Sequence, residues 1–115
     1  MSADGAAWAA ETNAEIKRNG QPVTLMRLHT AAQIPVSVDL HAVVRGYRLD
    51  ELAGSIVQGD REVTISPIPI RMRHWPGPPR KNDRVLIGAD VTTIQGVETV
   101  QVGDTVIRHN IHVRG

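Results

Sequence analysis

The sequence contains no cysteine and no phenylalanine, and its aromatic side chains are limited to Trp8, Trp75 and Tyr47. The absence of cysteine excludes disulfides, thiolate metal sites and cysteine nucleophiles, and it fits a reducing compartment. With so few aromatic rings, the core must be built from Val, Ile and Leu, which bury less area per side chain. A chain of 115 residues suits one small domain, for which oligomerisation is a natural source of further stability.

Long apolar runs and a large excess of one charge are also missing. No segment approaches the roughly 20 apolar residues of a membrane helix, and the N-terminus lacks the basic and apolar regions of a signal peptide. We therefore expect no membrane partner. The 13 basic and 12 acidic side chains give a net charge of +1, so binding of nucleic acid would require a local basic patch.

Alternating apolar residues predict a mainly β protein. In residues 36–42 the apolar side chains occupy every second position, which is typical of a strand with one buried and one solvated face. Residues 105–113 show the same period, with Ile107, His109, Ile111 and Val113 on one face. Further strands are predicted at 22–28, 61–65, 84–87 and 91–97, and a polar loop at 29–33. This spacing predicts a small antiparallel β-barrel or sandwich of about six strands in residues 20–115.

The N-terminal residues 1–19 are predicted to form a helix or an arm outside this sheet. Alanine, the strongest helix former, recurs throughout the segment, and Asn19-Gly20 is a typical helix end. Trp8 and Ile16 mark a weak apolar stripe, which makes them candidate partner contacts. The alternative is a segment that stays flexible until a partner orders it.

A proline-rich and basic segment, residues 67–81, interrupts the strand pattern and is predicted to be one long extended loop. Its sequence combines positive charge with a tryptophan and with several prolines, which excludes regular sheet throughout. The candidate binding residues of the loop and of the strand that follows it are Arg71, Arg73, His74, Trp75, Arg80, Lys81 and Arg84.

Three interpretations of this loop remain open. It is a docking arm for another protein, because Trp and Arg are enriched at interface hot spots and a proline-rich stretch loses little entropy on binding. It is a solvated loop whose charge resists misassociation. Or it contacts single-stranded nucleic acid by charge and by stacking on Trp75. Replacing Trp75 with alanine tests the first interpretation, since a docking arm leaves the fold intact and loss of the fold identifies a core residue.

No catalytic motif is present, whether G-x-S-x-G, G-x-x-x-x-G-K or H-E-x-x-H. His109 and His112 are three positions apart on one strand, so they lie on opposite faces and do not chelate one metal together. The aspartates at predicted turns are expected to bond their own backbone. We therefore predict no catalytic, cofactor-binding or metal-ligating residue and no enzymatic activity.

Several turn-and-strand patterns form a recognisable set. They are Gly59-Asp60-Arg61-x-Val63-x-Ile65, Trp75-Pro76-x-Pro78-Pro79-Arg80-Lys81-Asn82-Asp83-x-Val85-x-Ile87, Thr93-Ile94-Gln95-x-Val97, Ile16-Lys17-Arg18-Asn19-Gly20-Gln21-Pro22-Val23-Thr24-Leu25, Val44-Arg45-Gly46-Tyr47 and Val113-Arg114-Gly115. Together, over about residues 14–115, they resemble small structural proteins at the head–tail junction of long-tailed bacteriophages and related prophages. The chain departs from that pattern at Asn82 and Ala89, where glycine is expected, and at Thr92, where an aromatic residue is expected. These departures leave the subfamily open.

The resemblance implies a β-barrel-like subunit without chemistry that forms a homo-oligomeric ring between portal or adaptor proteins and tail proteins. This head–tail connector or head-closure role implies a place in the virion, reached from the host cytoplasm. The N-terminal segment and the loop 67–81 would grip neighbouring subunits, and basic residues would face channel DNA or acidic groups of the next ring.

Two alternatives remain open at this point. One is a tail-terminator or minor tail subunit, which would assemble through similar contacts but with a different neighbouring protein. The other is a small β-barrel adaptor that binds nucleic acid through basic residues between 71 and 84. Salt separates the adaptor from a docking protein, because binding to phosphates weakens steeply with salt and hydrophobic docking does not.

Overall fold

The computed structural model describes residues 3–28 and 35–115 of the chain. Its helices are α1 (Ala3–Asn19) and α2 (Pro67–Met72), and a 3-10 turn spans Leu49–Glu51. Its strands are β1 (Gln21–Arg27), β2 (Val36–Gly46), β3 (Arg61–Ile65), β4 (Arg84–Ile87), β5 (Asp90–Val102) and β6 (Thr105–Arg114). The polar loop predicted at 29–33 and the first two residues of the predicted N-terminal helix lie outside the described residues.

The strands form a closed antiparallel barrel in the order β1-β2-β3-β6-β5-β4. Closure depends on pairing between β1 and β4, in the register Thr24–Leu86, Leu25–Val85 and Met26–Arg84. Beyond Ile94, β5 pairs with β6 alone among the described residues, and beyond the Thr99–His109 pair this hairpin extends past the strands paired with it. The structure confirms the predicted mainly β fold and selects the barrel over the sandwich.

The period-2 patterns of the sequence define the inside of the barrel. Val38, Leu40 and Ala42 of β2 are buried, and the intervening residues 37, 39 and 41 are exposed. In β6 every odd position from Thr105 to Val113 is buried, as the alternation predicts. Since all strands contribute small branched side chains to one continuous core, the barrel is filled without phenylalanine.

Two tight turns that begin with glycine connect neighbouring strands. Gly88 and Gly103 have φ values of 60° and 61°, a left-handed conformation that glycine adopts without steric cost. Each begins a two-residue connection, between β4 and β5 and between β5 and β6.

The N-terminal segment is a helix packed against the barrel, chiefly on β6 and β2. Within the helix, Ala9 and Ile16 are buried, whereas Trp8 is 53% exposed. The helix ends where Gly20 donates its N–H to the carbonyl oxygen of Ile16 at 2.8 Å. A Cβ atom at Gly20 would lie 2.5 Å from that oxygen and 2.6 Å from the carbonyl oxygen of Ala42, so only glycine fits here.

Residues 67–72 form the short helix α2, which corrects the prediction of an extended loop over residues 67–81. Ser66 caps it, since its Oγ accepts a hydrogen bond from the N–H of Ile68 at 3.2 Å. Pro67 and Pro69 lie in the first turn, where the backbone N–H groups have no helical partner, so proline removes no hydrogen bond there. The prolines that indicated a loop are therefore equally compatible with a helix start. No helix within residues 3–28 and 35–115 has the length and apolar composition needed to cross a membrane.

The chain reverses direction directly after α2. His74 has a φ of 56°, and the N–H of Trp75 donates to the carbonyl oxygen of Ile70 at 3.0 Å. The reversal turns the indole of Trp75 into the main hydrophobic core, where the residue is 8% exposed. Trp75 is thus a core residue, and the prediction that an exposed arm presents it to a partner is wrong.

We expect Trp75→Ala to lower the free energy of unfolding by about 3–5 kcal/mol, because it removes a buried aromatic side chain and leaves a cavity. The matched control is Trp8→Ala, which removes a half-exposed indole and should cost less than about 1 kcal/mol. Urea denaturation of both variants measures the difference. Equal losses would contradict the assignment of Trp75 to the core.

Candidate functional site

The residues between α2 and β4 are held to the barrel by the side chain of Arg27 at the end of β1. Nε of Arg27 donates to Oδ1 of Asp83 at 2.9 Å, and Nη2 donates to Oδ2 at 2.7 Å. Both residues are buried, at 3% and 5% exposure. The remaining guanidinium donors bond the carbonyl oxygens of Pro76, at 2.5 Å, and Pro78, at 3.0 Å. The bidentate ion pair thereby fixes the end of the segment at Asp83, and the two carbonyl bonds fix its middle at Pro76 and Pro78.

The same guanidinium covers the ring of Trp75. The Cζ atom of Arg27 lies 5.0 Å from the ring centroid, within the range of a cation–π interaction. Asp83 also accepts a hydrogen bond from the backbone N–H of Arg80 at 2.9 Å, which is the turn-type bond expected of it. Because these contacts join the segment to β1, residues 73–83 form a fixed part of the barrel surface.

Of the seven predicted docking residues, six remain accessible to differing degrees, and they lie in different places. Arg71 lies in the last turn of α2, and Arg73 and His74 follow the helix. All three are exposed. Arg80 and Lys81 are exposed on the turn before β4, and Arg84 is half-buried within β4. The seventh, Trp75, is buried beneath Arg27, so its face does not serve as a stacking platform for a base.

A cleft of about 660 Å³, called the α2 cleft here, opens between α2 and the β5–β6 hairpin. Its walls include the apolar side chains of Pro67, Ile70, Trp75 and Val106. Arg71 and His74 contribute exposed basic groups to its lining. The indole N–H of Trp75 is buried and has no hydrogen-bond partner among the described residues. The cleft therefore combines apolar walls with exposed basic groups.

His109 forms a polar part of the α2 cleft. Its residue exposure is 3%, and its Nδ1 lies 3.0 Å from Oγ1 of Thr99 on the adjacent strand. Burial lowers the pKa of His109 below the ordinary histidine value, and the positive charge of Arg71 lowers it further. The imidazole is thus kept neutral at physiological pH. His112 lies on the opposite face of β6, as the spacing predicts.

A second buried carboxylate, Asp60, joins the turn before β3 to the end of the chain. Its two oxygens accept hydrogen bonds from Nε and Nη2 of Arg114 at 3.0 and 2.9 Å. Oδ2 also lies 2.5 Å from Nε2 of His112 and accepts the N–H of Val57 at 3.0 Å. The bonds from Arg114 hold the pKa of Asp60 well below its usual range despite burial. This network is structural, since it packs the C-terminal strand against the turn.

The predicted contacts of the N-terminal segment differ in exposure. Ile16 is buried against the barrel and is unavailable to a partner, which corrects its assignment as an arm contact. Trp8 is half-exposed and lies on α1 with Glu11 and Glu15, three and seven positions later. Residues at this spacing share one side of a helix. We call this side the Trp8 face.

The pattern of β1 contained a signal for the Arg27 site. Arg27 continues the alternation of Val23 and Leu25, so the sequence places a charged side chain on the buried face. A buried arginine requires a carboxylate or several carbonyl acceptors. Its partner is 56 positions away, which is why no local pattern identified it.

Residues 3–28 and 35–115 contain no group of three or more His, Cys, Asp or Glu side chains arranged to hold a metal ion. Comparison with protein-family models, with curated proteins and with solved structures found no match for this chain.

We expect Asp83→Asn to lower the free energy of unfolding by about 3–5 kcal/mol, because it leaves the buried guanidinium of Arg27 without a counter-charge. Asp90→Asn is the matched control, since Asp90 is 64% exposed and pairs with Arg61 at 3.4 Å. Its loss should be about 0–1 kcal/mol. Urea denaturation measures both. Faster tryptic cleavage at Arg80 and Lys81 in Asp83→Asn alone would show that the segment has been released.

The lowered pKa of His109 also predicts a pH dependence of stability. Below about pH 6.5 the unfolded chain binds a proton at this position before the folded chain does, so stability falls as the pH decreases. The free energy of unfolding of His109→Gln should therefore fall less steeply between pH 7.5 and 5.5 than that of the wild type. The difference in slope should be on the order of that produced by one bound proton. The same replacement at the exposed His41 controls for loss of a histidine. Identical slopes for the wild type and His109→Gln would contradict this prediction.

Proposed function

We propose that this chain is a structural virion protein, a head–tail connector or head-closure subunit that forms a ring at the phage head–tail junction. The observation that supports the proposal is the closed six-stranded barrel, which is the kind of fold that the sequence resemblance implies. The three central patterns of that resemblance correspond to β3, to the Arg27-held segment with β4, and to β5.

Closure of the barrel influences how such a ring would assemble. A closed sheet uses most strand edges internally, so subunits associate mainly through side chains on helices and loops. A ring contact is heterologous and requires two different surfaces on each subunit. The α2 cleft and the Trp8 face are two such surfaces, and they differ in shape and charge.

In this proposal the protein has no catalytic activity. Copies made in the host cytoplasm join the virion, where one side of the ring contacts portal or adaptor proteins and the other contacts tail proteins. The exposed Arg80 and Lys81 face channel DNA as passive contacts or pair with acidic groups of the neighbouring ring.

Electron microscopy of particles from a strain that lacks this gene tests the proposal. We expect DNA-filled or leaking heads beside separate tails of normal length, because heads and tails mature independently and fail only to join. Expression of the wild-type gene from a plasmid should restore joined particles. The Trp75→Ala and Asp83→Asn variants should restore them poorly, in proportion to their loss of stability.

Other particle morphologies assign other functions. Abnormally long or absent tails would contradict a role at the junction and indicate a tail-terminator or minor tail subunit. Normal particles would contradict any structural role in the virion. The test would then turn to single-stranded nucleic acid, whose binding through exposed arginines and lysines must weaken steeply as salt is raised.

A further inference from the structure

One surface of the barrel is lined by basic groups and another by acidic groups. Arg71 and His74 lie at the α2 cleft, and Glu11 and Glu15 lie on the Trp8 face. None of these side chains forms a hydrogen bond or ion pair with another described residue. Exposed charges contribute little to folding, so these groups are free to act in recognition without loss of stability.

The α2 cleft suits an aromatic side chain that is accompanied by acidic groups, because its apolar walls adjoin Arg71 and His74. Its volume of about 660 Å³ is within the range of pockets that enclose a compact ligand, and its walls are largely apolar.

The Trp8 face has the complementary features. Trp8 is the one tryptophan that is exposed, at 53%, and tryptophan is among the residues most enriched in binding hot spots. Glu11 and Glu15 place two negative charges beside it at helical spacing. An indole with two adjacent carboxylates matches an apolar cleft with two adjacent basic groups.

The two surfaces do not meet within one molecule. Trp8 borders a separate depression formed with Val43, Glu62 and Arg108, and no residue of α1 lines the α2 cleft. We propose that the Trp8 face of one copy docks in the α2 cleft of the next copy. This inference rests on the proposed ring and supplies its contact. Because the contact joins two different surfaces, it repeats from copy to copy and closes into a ring or extends as a filament.

Crosslinking between marked copies tests the contact, and the natural absence of cysteine makes every introduced thiol unique. One copy carries Ala7→Cys, at an exposed position beside Trp8, and the other carries Pro78→Cys, at an exposed position of the α2 cleft. The copies differ in tag length, are mixed at about 1 mM, where even a contact with a Kd of about 1 mM is well populated, and are treated with a flexible bismaleimide. We expect a crosslinked dimer that contains one copy of each kind.

Ala89→Cys supplies the control. It is exposed in the β4–β5 turn, about 30 Å along β5 from the cleft at about 3.3 Å per residue. Paired with either marked copy it should give only background crosslinking. Equal yields for all pairs, or no crosslinked dimer from the Ala7→Cys and Pro78→Cys copies, would overturn the proposed contact.

Charge reversal adds a test of geometry. Glu11→Arg with Glu15→Arg in the Ala7→Cys copy should lower the yield about tenfold, because acidic groups that attract Arg71 become basic groups that repel it. Arg71→Glu with His74→Glu in the Pro78→Cys copy should restore it. A yield that is unchanged by the first reversal, or that the second does not restore, would contradict charge pairing at this contact.

The particle assay separates this contact from the proposed function. Crosslinked dimers together with normal particles after gene deletion would support the contact and contradict the virion role. If gene deletion gives defective particles and the Glu11→Arg, Glu15→Arg variant fully rescues them, the virion role is supported and this contact is excluded.

Discussion

The buried ion pair between Arg27 and Asp83 determines the position of residues 73–83, and much of the structure depends on that position. Its guanidinium binds two carbonyl oxygens of the segment, covers Trp75 and pairs with the carboxylate that precedes β4. Without this pair, Trp75 would lose its cover and one wall of the α2 cleft would be undefined. A segment rich in proline and arginine is thereby part of the folded barrel.

The sequence predicts most of the barrel because the strands and turns are marked by patterns of neighbouring residues. In β2 and β6 the alternation of apolar and polar residues coincides with the buried and exposed faces, and Gly88 and Gly103 mark the turns. Prediction fails between 67 and 81, where two different conformations share one composition. Proline is common both in loops and in the first turn of helices, and tryptophan is common both in interfaces and in cores.

Predictions about the site follow the same division. The sequence identified the exposed basic residues around α2, yet it did not show which of them share a surface. That information depends on the reversal at His74 and on the partner of Arg27, which are tertiary features. An arginine in line with Val23 and Leu25 was the one local sign that a distant carboxylate had to be found. The proposed ring contact likewise depends on surfaces that distant segments build together.

The location of the Arg27–Asp83 pair has a consequence for folding kinetics. The pair adjoins the seam between β1 and β4, where closure joins positions 58 to 62 residues apart in the chain. Such long-range closure carries a larger entropic cost than forming the β4–β5 or β5–β6 hairpins, so we expect the seam to form last. Until it does, β1 and β4 each expose a strand edge that can pair with another chain. In the folded chain the ion pair holds this seam closed, which keeps the two edges paired with each other.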